Sequence, residues 1–281
     1  MSYRENIDNT VPANALGQFM TPFWAAEALI ERSFSDLSTR DLVLEPTCGT
    51  GAFLRALPAD VPAIGVEIDA DLAQRARRET GRQIITGDFR TVDLNARPTV
   101  VIGNPPYKAK LIEQILNRCA ELLPPDGRVG LLLPAYFMQA AQSVLRYRKL
   151  WGIQTELVAR SIYPRLSKPL VWSIFHRGRG TLVGLALYQE ASDVRYMPEC
   201  YRALLRDCKS NGWREVVLQA VIELGGQATL DAIYERVAPR RPTGNPWWRE
   251  KVRQQCQRAL VRIGPGLWGL PEAMPFQLEA A

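Results

Sequence analysis

The residues best suited to do chemistry stand together as Asn104-Pro105-Pro106-Tyr107, directly after a short apolar run typical of a buried strand. The Asn104 side-chain oxygen and the Pro105 carbonyl are neighbouring acceptors that can hold the two hydrogens of an amino group. Two consecutive prolines restrict the backbone around these acceptors, and Tyr107 supplies a flat face for a ring. A rigid Pro-Pro turn without activity is the structural alternative. The tetrapeptide is the most specific feature of the sequence and marks a candidate site at the end of this strand.

Three earlier apolar runs also end in groups suited to binding. The first leads into the glycine-rich turn 45–51, the second ends in Glu67, and the third leads to Asp88-Phe89. A glycine-rich turn after a parallel strand lets a ligand approach the backbone, and an acid after the next strand can accept both hydroxyls of a ribose. Each signal alone is common, but their succession predicts a nucleoside-binding edge of a sheet.

The elements that would position these groups are short runs rich in Val, Ile and Leu. We predict strands at Asp41–Glu45, Ala63–Ile68, Gln83–Thr86, Thr99–Gly103, Arg128–Leu133 and Leu170–Phe175. Helix-like stretches separate several of them, and a further helix is expected over Pro22–Phe34 before the first strand. Uniformly apolar strands alternating with helices predict an α/β fold: a Rossmann-like, mostly parallel twisted sheet with helices on both faces.

A different pattern begins near the C-terminus. A helix is expected from Trp213 to Gly225-Gly226, a second from Thr229 to Val237, and a third from Asn245-Pro246. Two short strands, Leu260–Ile263 and Leu267–Leu270, follow. This order predicts a small winged-helix domain. We therefore divide the chain into a catalytic domain (1–192), a helical linker (193–212) and a winged-helix domain (213–281).

Composition excludes several classes of protein. The 281 residues carry 35 Lys and Arg against 29 Asp and Glu, a modest excess compatible with nucleic acid and concentrated between Arg236 and Arg258. Five cysteines without CxxC spacing and one histidine favour neither a disulfide framework nor a metal site. No apolar run approaches the roughly 20 residues of a membrane span, and no signal peptide is visible. We expect a cytoplasmic protein that uses no metal.

In their combined order, these motifs resemble the S-adenosylmethionine-dependent DNA amino-methyltransferases. The similarity spans about residues 14 to 180 and is to the group in which cofactor motifs come first and the recognition domain last. Residues 44–53 are similar to the cofactor loop, and residues 17–22 to the segment that packs over the methionine end. The resemblance implies catalysis by Asn104, Pro105, Pro106 and Tyr107, and S-adenosylmethionine as cofactor. The implied cofactor-binding residues are Gln18, Phe19, Thr21, Glu45, Thr47, Cys48, Gly49, Gly51, Glu67, Ile68, Asp88, Phe89 and Asn104.

The reaction expected from this resemblance is methylation of the adenine N6 amine in double-stranded DNA. The exocyclic amine is a poor nucleophile because its lone pair is delocalised into the ring. Asn104 and the Pro105 carbonyl would accept its hydrogens and favour a pyramidal nitrogen, while Tyr107 stacks on the flipped-out base. Direct transfer needs no covalent intermediate. Methylation at cytosine carbon-5 is rejected, because that chemistry needs a cysteine after proline and no Pro-Cys pair occurs.

Two further sets of residues are expected to contact the substrate. Trp172 and Phe175, on the last predicted strand, are candidates for stacking on the flipped base, with ordinary core aromatics as the alternative. The third helix of the winged-helix domain would enter the major groove. Arg240 and Arg241, in the loop before this helix, are candidates for phosphate contacts. The DNA-binding candidates on the helix are Arg249, Lys251, Arg253, Gln254, Gln257 and Arg258.

Several alternatives stay open. A cytosine-N4 enzyme more often carries Ser in place of Asn104. An RNA base methyltransferase, a protein-glutamine methyltransferase and a catalytically inert DNA-binding regulator are the others. A palindromic target would favour a homodimer, and a cognate restriction endonuclease is a conceivable partner. The recognition sequence itself is not readable from these residues.

Overall fold

The computed structural model describes residues 20–163, 166, 168–178, 180–206, 208 and 211–271. Gln18 and Phe19, expected at the cofactor, lie outside the described residues. The chain divides into two compact units, Met1–Ala186 and Leu187–Ala281. The expected linker, 193–212, overlaps the helices Tyr188–Arg195 and Glu199–Arg206, and both helices group with the second unit.

The first unit is built on an eight-stranded sheet in the order β3-β2-β1-β4-β5-β7-β6-β8. Its strands are β1 (Val43–Glu45), β2 (Ala63–Glu67), β3 (Gln83–Thr86), β4 (Val100–Gly103), β5 (Arg128–Pro134), β6 (Trp151–Val158), β7 (Leu170–Arg177) and β8 (Leu182–Val183). Strands β1 to β5 run parallel, and β7 runs antiparallel to both of its neighbours. The six predicted strands and the mostly parallel Rossmann-like α/β fold are confirmed.

The strand order brings the carboxyl ends of β1, β2, β3 and β4 to one edge of the sheet, which we call the carboxyl edge. Because β6 is antiparallel to β7, which is itself antiparallel to β5, β6 also ends at this edge and β7 begins there. Ligands of open α/β sheets bind outside the carboxyl ends of the strands. The turns after four successive strands therefore share the position where a site is expected.

Helices connect the strands of the first unit. They are α1 (Phe23–Phe34), α2 (Ala52–Ala56), α3 (Ala70–Thr80), α4 (Ala109–Leu122), α5 (Ala135–Gln139) and α6 (Ala141–Tyr147). Local sequence fixes the limits of α3: the Asp69 carboxylate accepts hydrogen bonds from the amides of Asp71 and Leu72, and Gly81 ends the helix at φ 65°.

The core of the first unit contains the aromatic residues that were expected to stack on a substrate base. Trp172 is 1% exposed, lies parallel to Phe53 with centroids 6.0 Å apart, and donates its indole N–H to Ser33. Phe175 is fully buried against Trp151. The expected role of Trp172 and Phe175 is therefore wrong in this structure, because both rings are covered by protein on the sheet faces.

Strand β6 was not predicted. Its sequence, Trp151–Val158, mixes polar and apolar residues, and its burial is correspondingly uneven. It nevertheless pairs with β7 along its whole length, and its cross-strand partners include Thr155 with Ser173. β6 forms because it pairs with β7 in the tertiary structure. Strand propensity largely measures how well a residue fits against neighbouring strands, so the local sequence did not predict it.

The second unit contains five helices and a three-stranded sheet within the described residues. The helices are α7 (Tyr188–Arg195), α8 (Glu199–Arg206), α9 (Gly212–Glu223), α10 (Leu230–Val237) and α11 (Trp248–Ala259), and the strands are β9 (Gln227–Thr229), β10 (Val261–Gly264) and β11 (Leu267–Gly269). The antiparallel order β10-β11-β9 adds a strand to the expected hairpin. Val217, Ile233, Val252 and Cys256 join α9, α10 and α11 in one core.

Helix α11 begins at Trp248, three residues later than the expected Asn245 cap. Asn245 instead accepts a hydrogen bond from the Trp247 amide at 2.8 Å and forms the turn that precedes the helix. No helix of the described residues is long and apolar enough to cross a membrane. The same described residues contain no group of three His, Cys, Asp or Glu side chains able to hold a metal ion.

Candidate active site

The turn between β1 and α2 is shaped by two glycines with positive φ. Gly49 has φ 54° and Gly51 has φ 82°. A Cβ at Gly51 would lie 2.5 Å from Cγ2 of Thr80, and one at Gly49 would lie 3.3 Å from Sδ of Met20. The backbone conformation favours glycine at both positions, and at Gly51 the space requires it as well. The turn exposes its backbone at the carboxyl edge.

Glu67 links this turn to the end of β2. One carboxylate oxygen accepts the Gly49 amide at 2.7 Å, and the other accepts the Asp69 amide at 3.0 Å. The side chain is 1% exposed yet borders a cleft. Each carboxylate oxygen has two acceptor sites, so Glu67 can hold the turn and still accept hydroxyl donors from a ligand.

Glu45 is a second buried carboxyl group, at the end of β1. It is 3% exposed and accepts the amide of Leu54, at the first turn of α2, at 3.3 Å. Burial raises the pKa of Glu45 well above its usual value, and the nearby Glu67 carboxylate raises it further. A buried acid of this kind is poised to favour a cationic ligand, because a nearby positive charge stabilises its ionised form.

Asp88 is held by Arg90 at the end of β3. Its Oδ1 accepts hydrogen bonds from the Arg90 amide at 2.9 Å and from Nε at 3.0 Å, and Arg90 also donates to Gln114. These bonds lower the pKa of Asp88, which keeps the carboxylate ionised as an acceptor. Phe89 is 3% exposed, with the Arg118 guanidinium 5.1 Å from its ring centroid. No sequence pattern indicated that Arg90 would bind Asp88.

Two cavities adjoin each other at the carboxyl edge. The first is an open cleft of about 390 Å³, including solvent at its mouth, and is lined by Met20, Thr21, Glu45, Gly49 and Asn104, among others. The second is an open cleft of about 810 Å³, likewise including solvent at its mouth, and its lining includes Glu67, Ile68, Asp88, Phe89 and Lys108. Thr47 and Pro106 line both. The structure thus brings together every described residue that the sequence assigned to the cofactor, except Gly51, which shapes the turn.

The wall shared by the two cavities offers a hydroxyl without a protein partner. Thr47 Oγ1 is buried and forms no hydrogen bond with the described residues. A buried hydroxyl in this position fits a polar ligand that spans the two cavities. Its neighbour Cys48 is 4% exposed, and burial raises the pKa of the thiol, so it stays protonated at neutral pH. Cys48 is accordingly unsuited to act as a nucleophile.

The side chain of Asn104 is held by residues from two other segments. Its amide nitrogen donates to Thr21 Oγ1 at 3.2 Å and to the Tyr163 hydroxyl at 3.5 Å, while Tyr163 donates to Thr21 at 3.0 Å. Burial raises the pKa of Tyr163 to about 12, which keeps its hydroxyl protonated. Sequence reasoning missed Tyr163 because the unpredicted β6 leads into its segment.

Tyr107 packs partly against the core of the first unit. Burial raises the pKa of its hydroxyl. Its backbone carbonyl accepts a hydrogen bond from Tyr136 at 2.7 Å. Tyr136, also missed from the sequence, stays 38% exposed beside the turn. These contacts fix the backbone of the tetrapeptide beyond what its prolines provide.

In the second unit, most of the predicted DNA-binding side chains project from α11. Arg249, Lys251, Arg253, Gln257 and Arg258 are exposed and Gln254 is half-buried. Trp247, just before the helix, is 76% exposed. The half-buried Arg241 lies over the Trp248 ring, with its guanidinium 5.6 Å from the centroid.

Arg240 departs from this pattern. Its Nη1 donates to the Arg236 carbonyl at 2.8 Å, and its guanidinium lies over the Tyr201 ring. The side chain is half-buried within the second unit. These contacts use one N–H group and one face of the guanidinium, so the expected phosphate contact of Arg240 stays a prediction.

Comparison with curated proteins finds methyltransferases. The chain is 30% identical over 144 residues to the type II methyltransferase M.CvrRI of Paramecium bursaria Chlorella virus XZ-6E, covering 44% of this chain and 38% of that protein. It is 33% identical over 109 residues to ribosomal RNA small subunit methyltransferase A of Nostoc sp. strain PCC 7120, covering 33% of this chain and 40% of the relative. The chain thus spans about two fifths of the length of these relatives.

No family model matches the chain. Among solved structures, the 23S rRNA methyltransferase ErmE superposes with a TM-score of 0.49 at 20% identity, covering 85% of this chain and 99% of that one.

Proposed function

We propose that this chain is an S-adenosylmethionine-dependent methyltransferase that modifies the N6 amine of adenine in double-stranded DNA. The observation that carries this proposal is that Asn104 lines the same cavity as Glu45 and Gly49. The amine-holding group therefore borders the place where the turn after β1 would hold a methyl donor. The similarity to the type II methyltransferase supports a DNA substrate.

The residues at the carboxyl edge fit the cofactor. Glu67 would accept the ribose hydroxyls, Asp88 the adenine amine, and Thr47 a polar group between the two cavities. S-adenosylmethionine, when bound, supplies a methyl group on a cationic sulfur, which is already strongly activated. The remaining task of the protein is positioning.

Asn104 and Pro105 carry out that positioning on the substrate side. The Asn104 side-chain oxygen and the Pro105 carbonyl accept hydrogen bonds from the two N–H groups of the amine. This favours a pyramidal nitrogen with its lone pair available. The prolines, Thr21 and Tyr163 hold the acceptors in place before the base arrives, so they need no reorganisation during transfer. Tyr107 supplies the face on which the flipped base stacks.

The second unit would supply sequence recognition as a winged helix. Its order of helices and strands, with α11 followed by the β10–β11 hairpin, supports this interpretation. Helix α11 would enter the major groove, where Arg pairs with guanine and Gln with adenine. The reading and phosphate-binding residues would be Arg240, Arg241, Arg249, Lys251, Arg253, Gln254, Gln257 and Arg258.

The test is incubation of the protein with labelled S-adenosylmethionine and mixed-sequence duplex DNA, followed by nucleoside analysis. We expect N6-methyladenine with the wild type and none with Asn104→Ala. Asn95→Ala, an exposed asparagine at the opposite edge of the sheet, is the matched control and should keep full activity. The proposal is overturned if N4-methylcytosine is the sole methylated nucleoside or if the label appears in protein. It is also overturned if Asn104→Ala keeps undiminished activity.

An RNA base is the second candidate substrate. The similarity to ribosomal RNA methyltransferases from two Nostoc strains and a Synechococcus strain favours it. The same labelled assay, run with small-subunit ribosomal RNA against duplex DNA of equal adenine content, separates the two. Faster methylation of the RNA would show that the substrate is RNA rather than DNA. The assignment of the amine-holding residues would be unaffected.

A further inference from the structure

The first unit has an uneven distribution of charge along its sequence. Residues 35–126 contain 13 acidic and 11 basic residues, whereas residues 127–189 contain one acidic residue, Glu156, and nine Lys or Arg. The first stretch supplies β1 to β4, and the second supplies β5 to β8. The sheet order places these two sets of strands side by side, and Asn104 directly follows β4, the strand at the boundary. The cofactor half is therefore nearly neutral, and the other half is strongly basic.

Four cations lie at the carboxyl edge itself. Lys108 and Lys110 follow the Asn104 turn at the start of α4, Arg160 follows the end of β6, and Lys168 precedes β7. Because β6 ends and β7 begins at the carboxyl edge, all four share the edge that holds Asn104. We call Lys108, Lys110, Arg160 and Lys168 the basic rim.

Contacts join the basic rim to the catalytic turn. Nζ of Lys168 lies 5.4 Å from the ring centroid of Tyr136, whose hydroxyl donates to the Tyr107 carbonyl. Arg160 and Lys168 also line a small cavity with Tyr163, whose hydroxyl is 3.5 Å from the Asn104 amide nitrogen. Arg160 and Lys168 thus stand within one intervening side chain, Tyr163, of the residue that would hold the target amine.

The cations of the basic rim also lack counter-charges among the described residues. Elsewhere in the first unit, Arg32, Arg90, Arg128 and Arg146 each form an ion pair. All four rim side chains are exposed, and none has an ion-pair partner among the described residues. Unpaired cations grouped on one edge favour a polyanionic ligand.

We propose that the basic rim binds the sugar-phosphate backbone on either side of the target nucleotide. This inference rests on the proposed function, because it assumes a nucleic-acid substrate. The cofactor carries no phosphate, so its binding does not explain four unpaired cations at this edge. A flipped base must bring its own phosphates to the mouth of the cavity, where the rim cations lie. The first unit would therefore contribute affinity independently of the predicted reading helix of the second unit.

The experiment measures binding of fluorescent mixed-sequence duplex DNA to the full chain at several salt concentrations. The rim variant is K110Q/R160Q/K168Q; Lys108 is left intact because it lines the cofactor cleft. The control variant, R40Q/R97Q/K149Q, removes three exposed cations without ion pairs among the described residues, all located before strands at the opposite edge. Both variants change the net charge equally, so they separate local contact from overall charge.

We expect the salt dependence of binding to weaken only in the rim variant. The slope of log K against log salt should fall by about two to three, at about 0.9 per phosphate contact, and affinity should drop by about tenfold or more at moderate salt. Binding of S-adenosylhomocysteine, measured by calorimetry, should be unchanged in both variants and shows that the unit is folded.

Equal slopes in the two variants would overturn the proposal. Failure of adenine methylation would not, because the binding measurement involves no chemistry. If the rim variant alone loses affinity while no N6-methyladenine forms, the rim assignment stands and the proposed reaction falls. If adenine is methylated and the rim variant binds and turns over like the control, the reaction stands and the rim assignment falls.

Discussion

The amide nitrogen of Asn104 donates a hydrogen bond to Oγ1 of Thr21, 83 residues earlier in the chain, at 3.2 Å. Tyr163 donates to the same oxygen and lies 3.5 Å from the same amide nitrogen. Because the nitrogen side of the amide is engaged, the orientation of its plane is set by Thr21 and Tyr163. The direction of the carbonyl oxygen is then fixed as well.

Tyr163→Phe should slow methyl transfer without weakening cofactor binding, because Tyr163 acts through Asn104. Loss of one hydrogen bond of about 0.5–1.5 kcal/mol corresponds to roughly a three- to tenfold lower kcat. Steady-state kinetics with DNA, together with calorimetry for S-adenosylhomocysteine, would measure both quantities. Thr21→Val should lower kcat to a similar extent, and Thr21→Ser should restore it. An unchanged kcat in Tyr163→Phe would contradict the positioning role.

Glu67→Gln should reduce affinity for the cofactor. The substitution removes the charge that strengthens the bond from the Gly49 amide, and it replaces one acceptor oxygen by a donor group. Hydrogen bonds to charged groups contribute about 1.5–3 kcal/mol, so we expect a Kd roughly 10- to 100-fold higher. Calorimetric titration measures it, and Glu31→Gln, an exposed residue of α1, serves as the matched control.

Gly51→Ala should destabilise the first unit more than Gly81→Ala. Both glycines have positive φ, so both substitutions introduce backbone strain of about 1–2 kcal/mol. A Cβ at Gly51 also meets Thr80, whereas one at Gly81 meets nothing within 4 Å. The additional overpacking should contribute about 1–3 kcal/mol, measured as a difference in urea-unfolding free energy. Equal losses would show that the turn can shift away from Thr80.

The buried Glu45 should make the cofactor-free protein less stable as the pH rises. Burial raises its pKa in the folded state, whereas an unfolded glutamate ionises near about 4.3. Between these two values the folded state binds more protons than the unfolded state, so the free energy of unfolding falls with increasing pH. Urea titrations from pH 4.5 to 8 should show this decline, and Glu45→Gln should remove that part of it. If the free energy of unfolding declines equally with pH in Glu45→Gln, groups other than Glu45 cause the decline.

Trp172→Ala should act on stability rather than on base binding. The ring is covered by Phe34 and Phe53 and bonded to Ser33, so its removal leaves a cavity that should destabilise the unit by about 3–5 kcal/mol. The milder Trp172→Phe variant keeps most of the volume, and the KM for DNA should equal that of the wild type. A raised KM in a fully folded Trp172→Phe variant would restore the substrate-facing role.

Sequence alone determined the parts of this protein that depend on local order. Alternating apolar runs and helices predicted six of the eight strands and the mostly parallel sheet, because all of these strands except the edge strand β3 are buried on both faces and are rich in apolar residues. The glycines at 49 and 51, the acids at 67 and 88, and Asn104 follow successive strands. Parallel strands place their carboxyl ends at one edge, so the grouping of these residues followed from topology.

Only the tertiary structure decided which groups act together across distant segments. Trp172 and Phe175 are buried under other elements of the unit rather than exposed at the site. Which elements pack on each face of the sheet cannot be predicted from the local sequence. Tyr163 reaches Asn104 because β6, a mixed-polarity strand, is held in place by pairing with β7. Arg240 turns inward because Tyr201 and the Arg236 carbonyl are nearby. The periodicity of apolar residues predicts which face of a helix or strand is buried. The residues that contact that face are determined by the tertiary fold.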